Sequence, residues 1–341
     1  MKLDIVEYAS LLSSNTLALP VSARYFFHLT SSEQVPEILA FARDRAVPFL
    51  VLGGGSNIVL TTDYPGLVIR NELRGISVTK GDGEDCFVEA GAGEVWDQLV
   101  QYCLANGYSG IENLALIPGT VGAAPIQNIG AYGVELSQVF HSLTGWDCRE
   151  QCWKTLGIDD CQFSYRNSIF KNELKNQFII SSVVLRLSNV AKFNISYPAL
   201  QQALDEAGIE HASAKEIVDT VIAVRNSKLP NPQELPNTGS FFKNPIVGFE
   251  RFKVLQKDFP QLVSFPIPTS ADKKLSAGWL VEHAGWKGKR LGSVGMHDKQ
   301  ALVLINYENA SGLDVMEFAA RVQKAVAGKF GIELEIEPDV V

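Results

Sequence analysis

The chain has 341 residues, room for two or three domains, and 46% of them are hydrophobic, enough to fill sizeable cores. Thirty Lys and Arg against thirty-eight Asp and Glu leave a net charge of −8, which excludes a chain whose business is coating nucleic acid or an anionic membrane. No stretch approaches the roughly 18 uninterrupted apolar residues of a membrane span and the N-terminus has no continuous apolar leader, so a soluble, cytoplasmic protein is expected.

In chain order, Thr30-Ser-Ser-Glu33 reads as a capping box that opens a helix through Ile38, Leu39 and Ala42. Residues 47–52 (VPFLVL) are expected as a buried strand breaking into Gly53-Gly-Gly-Ser-Asn57, with further strands at NIVL and GLVIRN. A second cycle follows: a strand at 87–90, the turn Gly91-Ala-Gly93, then a helix with Val95, Trp96, Leu99, Val100, Cys103 and Leu104 on one face, stopped by Gly107. Residues 111–135 are apolar, Gly-rich and nearly uncharged, too loop-like for one helix and too apolar for a surface linker. Strand-like segments occupy about 140–190. Ser213-Ala-Lys-Glu216 is a second capping box opening a helix through Ile217, Val221 and Val224, and KLPNPQELPN (228–237) is an irregular connection. A domain boundary is expected near 217. The last third predicts a helix near 275–284, a strand at 301–306, a helix over about 313–328 and a terminal strand at IELEI (332–336). The class is α+β, several small sheets with helices packed on them.

The five cysteines are odd in number and form no CxxC, and Cys148 and Cys152 have no histidine close enough in sequence to complete a zinc set. Reduced structural thiols are expected. The five histidines are scattered, so no metal is expected.

A run such as GGGSN lets backbone N–H groups approach a phosphate without interference from a Cβ, and Ser56 and Asn57 add donors. Neither glycine cluster fits the P-loop, which needs GxxxxGK[ST], nor the G-x-G-x-x-G fingerprint: Gly53-x-Gly55 runs on to Ile58, and Gly91-x-Gly93 to Trp96. A dinucleotide would have to bind in another fold. The stretch 118–133 combines small residues with Gln127 and Asn128, which suits an isoalloxazine ring with apolar faces and a polar edge. Composition leaves that reading and a tight packing loop equally open.

Six segments in order, VLGGGSN, NLALIPGTVGAAPIQNIGAYGVE, FSYRNSIFK, NTGSFFKNP, AGWLVEHAGWKG and ELEIEP, closely resemble the UDP-N-acetylenolpyruvoylglucosamine reductase family over about residues 45–337. The segment NISYPALQQAL around Tyr197 resembles the longer, Tyr-containing type of that family. The resemblance implies an FAD-binding region of the PCMH, or vanillyl-alcohol-oxidase, kind over 1–217, in two α+β lobes of about 1–70 and 71–217. A C-terminal α+β substrate-binding domain would span 218–341, its last strand returning to the active site. It implies a monomer with non-covalent FAD that works on small molecules and on neither nucleic acid nor membrane. NADPH would reduce FAD, hydride would pass from flavin N5 to C3 of the enolpyruvyl ether of UDP-N-acetylglucosamine, and C2 would be protonated to give UDP-N-acetylmuramate.

That chemistry calls for a fixed cation near the substrate carboxylate and an acid opposite the flavin. By resemblance Arg166 in FSYRNSIFK is the catalytic arginine, Ser240 in NTGSFFKNP the proton donor, and Glu337 the catalytic glutamate. Glu333, Glu335 and Glu337 alternate, so spacing alone leaves Glu335 equally eligible and only the motif register favours Glu337. Gly53, Gly54, Gly55, Ser56 and Asn57 match the FAD pyrophosphate loop, and Pro118, Gly119, Gly122, Ala123, Ala124 and Gly130 the flavin surroundings. Arg225 matches a flavin contact. Tyr197 and Lys228 match groups that clasp the UDP diphosphate, and Asn244 and Gln300 further substrate contacts. Covalent flavin attachment commonly uses a His or Cys near the ring, and neither glycine-rich loop contains one. Pro338-Asp339 stands where related chains more often continue Val-Arg, which removes one possible substrate contact. Two rivals remain: a flavin oxidase or alcohol dehydrogenase of the same fold, and a nucleotide-binding regulatory module that has lost catalysis.

Overall fold

Two parallel pairings build the first sheet: Ser22–Leu29 and Phe49–Leu52 each run beside Tyr64–Asn71, with Ile5–Ser10 on the outer side of Ser22–Leu29. The structure, a computed structural model, describes residues 3–267 and 270–341. Parallel neighbours need a crossover, and helix α1 (Gln34–Asp44) supplies it, burying Val35, Ile38 and Ala42 with Phe27, Leu29, Leu67 and Ile69. Its cap sits one residue beyond the Thr30/Glu33 box: Gln34 Oε1 accepts from the Thr30 and Ser31 backbone N–H groups at 3.1 Å each, while Glu33 accepts from the Ser31 hydroxyl. Phe49–Leu52 is half-buried because it is an edge strand.

A five-stranded antiparallel sheet follows, in the order Cys152–Gly157, Phe140–Asp147, Phe178–Ser188, Asp85–Gly91, Ile76–Lys80. Its apolar face gathers Trp96, Leu99, Val100 and Cys103 of α2 (Trp96–Ala105) into a core distinct from that of the first sheet. Helices α3 (Pro198–Glu206) and α4 (Ala214–Lys228) add Leu200, Leu204, Ile217, Val218 and Val221 to it. The cap of α4 is the expected one: Glu216 accepts from the Ser213 backbone N–H (2.8 Å) and hydroxyl (2.7 Å), and Ser213 Oγ accepts from the Glu216 N–H at 3.3 Å.

Both sheets belong to one compact unit, formed by residues up to Ala9, Ala23–Gly55 and Tyr64–Ser227. The second unit is Ser10–Ser22, Ser56–Asp63 and Lys228–Val341. A boundary at 217 would cut the first turns of α4, whose buried side belongs to the first unit's core, so the chain divides at the far end of that helix instead.

The second unit has a four-stranded antiparallel sheet, Asn237–Ser240, Val303–Asn306, Val294–Met296, Arg290–Leu291, and a three-stranded one, Ile246–Val247, Ser270–Leu275, Ser264–Ile267. Its helices are α5 (Phe249–Asp258), α6 (Ala277–His283) and α7 (Gly312–Phe330). A Ser311/Asp314 capping box starts α7, and Gly331 stops it at φ +63°. The strand expected at 332–336 does not form. Leu334 gives its carbonyl to the Gln323 side-chain amide (2.7 Å), and only Ile336 bridges, to Phe242. Regular pairing resumes at Asp339–Val340, parallel to Ile58–Val59. Among the described residues no helix is long and apolar enough to cross a membrane.

Candidate active site

The loop after Phe49–Leu52 leaves the C-terminal ends of the parallel strands, the edge at which such sheets bind ligands. It lies backbone-to-backbone on the second glycine-rich stretch. A Cβ on Gly53 would stand 2.4 Å from Thr120 Oγ1, and one on Gly54 2.7 Å from Gly119 Cα. A Cβ on Gly122 would stand 2.5 Å from that of Ala92. No side chain fits at these separations, so tight packing accounts for these glycines whatever else the loops hold. Gly55 turns at φ +65°. The second loop is pinned by the Trp96 N–H donating to Gly119 O (3.1 Å) and the Gly122 N–H to Ala92 O (2.8 Å). Pro118 leads into it, and Ala123 and the buried Ala124 close its single helical turn.

Gly130–Ala131 and Val134–Glu135 form a small hairpin, and Asn128, buried and at φ +46°, ties it to the next loop. Asn128 Nδ2 donates to Glu135 Oε2 (3.0 Å) and Ser164 O (3.2 Å), and its Oδ1 accepts from the Ser137 N–H at 2.9 Å. Ser164 and Asn167 pair across a tight turn whose corner is Arg166 at φ +52°, a conformation that a Cβ disfavours. Arg166 Nη2 donates to Gly130 O at 2.7 Å. A Cβ on Gly130 would lie 3.2 Å from Arg166 Nη1, so the guanidinium is lodged against the hairpin.

Arg225 projects from α4 toward the same group. Burial lowers its pKa, opposed by Tyr132 and Asp97 and reinforced by the Arg166 charge. Its buried Nε has no hydrogen-bond partner among the described residues. Tyr197, at the start of α3, packs edge-on to Tyr132 with ring centres 5.4 Å apart, and burial pushes both phenols above their ordinary range.

In the second unit Ser240 is exposed at the end of Asn237–Ser240. The pairing with Val303–Asn306 shifts register just before it: Gly239 sits at φ +70° and gives its N–H to Asn237 Oδ1 at 2.8 Å. The buried Phe241 and Phe242 anchor the chain beyond. The Glu337 N–H donates to Phe241 O at 2.9 Å, which seats Glu337 beside the residue following Ser240. Glu337 is buried at 8% exposure, whereas Glu333 and Glu335 are exposed and Glu335 pairs with Lys243. The alternation of three glutamates therefore does not hold. Asn57 adjoins this segment: its carbonyl accepts from the Asp339 N–H (3.0 Å) and its amide reaches Glu337 O at 3.5 Å. Ser56 precedes it in the same unit.

Asn244 and Gln300 both meet the first turn of α6. Asn244 Oδ1 accepts from the Ala277 N–H at 2.9 Å, and a Cβ on Gly278 would lie 3.4 Å from Gln300 Oε1. Lys228 is exposed at the end of α4. The sequence offers Asn128 as a polar partner for a ring edge; in the structure its amide bonds instead to Glu135, Ser164 and Ser137. The cysteines are all free thiols, and among the described residues no group of three or more His, Cys, Asp or Glu is placed to hold a metal ion.

Residues 23–151 match the FAD binding domain family, and 231–341 match the C-terminal domain of UDP-N-acetylenolpyruvoylglucosamine reductase. The chain is 45% identical over 340 residues to the UDP-N-acetylenolpyruvoylglucosamine reductase of Pseudomonas syringae pv. syringae (strain B728a), covering 100% of both chains. It is 47% identical over 329 residues to that of Dechloromonas aromatica (strain RCB), covering 95% of this chain and 96% of the relative. The crystal structure of a UDP-N-acetylenolpyruvylglucosamine reductase from Thermus caldophilus superposes with a TM-score of 0.67 at 22% identity, over 100% of this chain and 99% of that one; at this identity the likeness is one of fold.

Proposed function

We infer the reaction from kinship: the chain belongs to the UDP-N-acetylenolpyruvoylglucosamine reductase family, and it binds FAD. It reduces the enolpyruvyl ether of UDP-N-acetylglucosamine to UDP-N-acetylmuramate, a step of peptidoglycan precursor synthesis. The observation behind the residue assignment is the Glu337–Phe241 backbone bond, which brings the buried Glu337 alongside the residue that follows the exposed Ser240.

The residues present suit a flavin nucleotide. The buried Arg225 Nε, without a hydrogen-bond partner among the described residues, suits a ligand whose edge is a row of carbonyls. Gly53, Gly54, Gly55, Ser56 and Asn57 hold the pyrophosphate. Pro118, Gly119, Gly122, Ala123, Ala124 and Gly130 surround the ring, with Arg225 donating to its polar edge. When bound, FAD supplies to the substrate the hydride it receives from NADPH. Arg166 holds the substrate carboxylate, where negative charge develops. Ser240 delivers the proton to C2, and Glu337 orients the groups around it. Tyr197 and Lys228 hold the diphosphate. Gln300 adds a polar contact, and Asn244, its Oδ1 already committed to Ala277, contributes its NH₂.

The test is a colour cycle. NADPH bleaches the yellow protein anaerobically, and enolpyruvyl-UDP-N-acetylglucosamine restores the colour; a protein recoloured only by oxygen is an oxidase instead. Acid precipitation of the same preparation leaves a white pellet, as non-covalent FAD requires. Gly54→Ala forces apart two loops whose backbones touch. By the usual cost of overpacking it weakens FAD about 10–100-fold, read by titrating the apoprotein with flavin. Unchanged affinity would mean that this loop contact is irrelevant to the cofactor.

A further inference from the structure

We infer that Asn113 is a positioning residue for substrate binding: a single buried amide ties the Tyr197 loop to the glycine-rich hairpin. This rests on the reading that Tyr197 contacts the UDP diphosphate. Asn113 lies in the turn Glu112–Leu114 and is only 3% exposed. Its NH₂ group has two hydrogens and both are used, one on Tyr132 O (2.9 Å) and one on Asn194 O (2.8 Å). A third segment thus holds two loops together.

Asn194 completes the clasp from the other side. Its Nδ2 donates to Gly133 O at 3.2 Å, and its Oδ1 accepts from the Ser196 N–H (3.1 Å) and hydroxyl (2.7 Å). These bonds curl the chain directly into Tyr197, whose ring then packs on Tyr132. Residues 189–197 carry no regular secondary structure, so no strand or helix ladder fixes Tyr197 from its N-terminal side. Side-chain amides do that instead. At position 113 the chemistry is strict. Alanine removes both bonds, and aspartate would aim a carboxylate at two carbonyl oxygens.

The experiment uses the full chain with FAD bound and compares Asn113→Ala, Asn194→Ala, Tyr197→Ala and the double variant Asn113→Ala/Tyr197→Ala. Asn113→Ala raises KM for the UDP substrate about tenfold and Asn194→Ala about threefold, as loss of hydrogen bonds of ordinary strength implies, while flavin reduction by NADPH stays within about twofold. Both variants speed amide hydrogen exchange across 190–197 without substrate. The double variant has a KM no worse than Tyr197→Ala, because both changes remove the same placement of one ring. Unchanged exchange across 190–197 in both asparagine variants, or additive effects on KM, overturns the inference. If Asn113→Ala does not fold, Asn194→Ala, at a half-buried loop position, decides it through the same exchange measurement. A Tyr197→Ala enzyme with unchanged KM overturns instead the assignment of Tyr197 to substrate, and the exchange data then judge the clasp alone.

Discussion

In the Ser240→Ala variant, NADPH reduces the bound flavin at the wild-type rate, while reoxidation by enolpyruvyl-UDP-N-acetylglucosamine slows by about 10²–10⁴-fold. The first half-reaction takes no proton from this hydroxyl; the second ends with one arriving at C2. A serine is a very weak acid in water, so it protonates only an acceptor as basic as the carbanion that follows hydride addition. The substitution leaves the surroundings intact: the side chain is exposed, and the backbone is held by Asn237 and by the buried Phe241 and Phe242. Cysteine at 240 keeps a transferable proton in nearly the same place, and Ser240→Cys retains much more activity than alanine. Rapid-mixing absorbance at the flavin band separates the halves. Equal slowing of both in the alanine variant would mean that Ser240 shapes the site without donating.

The glycine loops were legible because their sequences disobey ordinary strand and helix composition, and ordered motifs identified the family across nearly the whole chain. What the glycines do locally was not legible. Composition could not choose between a ring-binding loop and a packing loop, and the contacts of Gly53 with Thr120 and Gly54 with Gly119 show packing at work in loops of an FAD-binding family. Period-two spacing likewise could not separate Glu335 from Glu337. The chain leaves extended pairing around Ile336, so that Glu337 and Pro338 are both buried in succession, and only that break distinguishes the glutamates.

What the asparagines do was the blind spot. Asn113, between Glu112 and Leu114, carries no local signal, and Asn128 reads equally as a ring-edge group or a turn former. Their work is done with carbonyls 36 and 81 residues away, Ser164 and Asn194. No local window contains those partners. Helix α3 escaped for a different reason: with Leu200 and Leu204 its only buried residues, its apolar pattern is one repeat long.

Arg166→Met lowers the rate of enolpyruvyl reduction by about 10²–10³-fold, the usual loss when one charge-stabilising donor is removed, and leaves FAD content near wild type. The second half of that expectation follows from the turn. Methionine, like arginine, has a Cβ, so the left-handed backbone at 166 becomes no more strained. The bond from Nη2 to Gly130 O is lost, but Asn128 still links Ser164 to the hairpin and the Ser164–Asn167 pair still closes the turn. The glycine-rich hairpin therefore keeps its arrangement, while on the proposed assignment the substrate carboxylate loses its cation. Arg166→Lys retains charge, but an ammonium cannot reproduce the planar fork of a guanidinium, one nitrogen of which donates to Gly130 O. It falls between methionine and wild type. Flavin absorbance per mole of protein reads cofactor retention, and single-turnover reoxidation reads chemistry. Colourless protein from the methionine variant would identify Arg166 as a structural brace of the hairpin and remove it from the reaction.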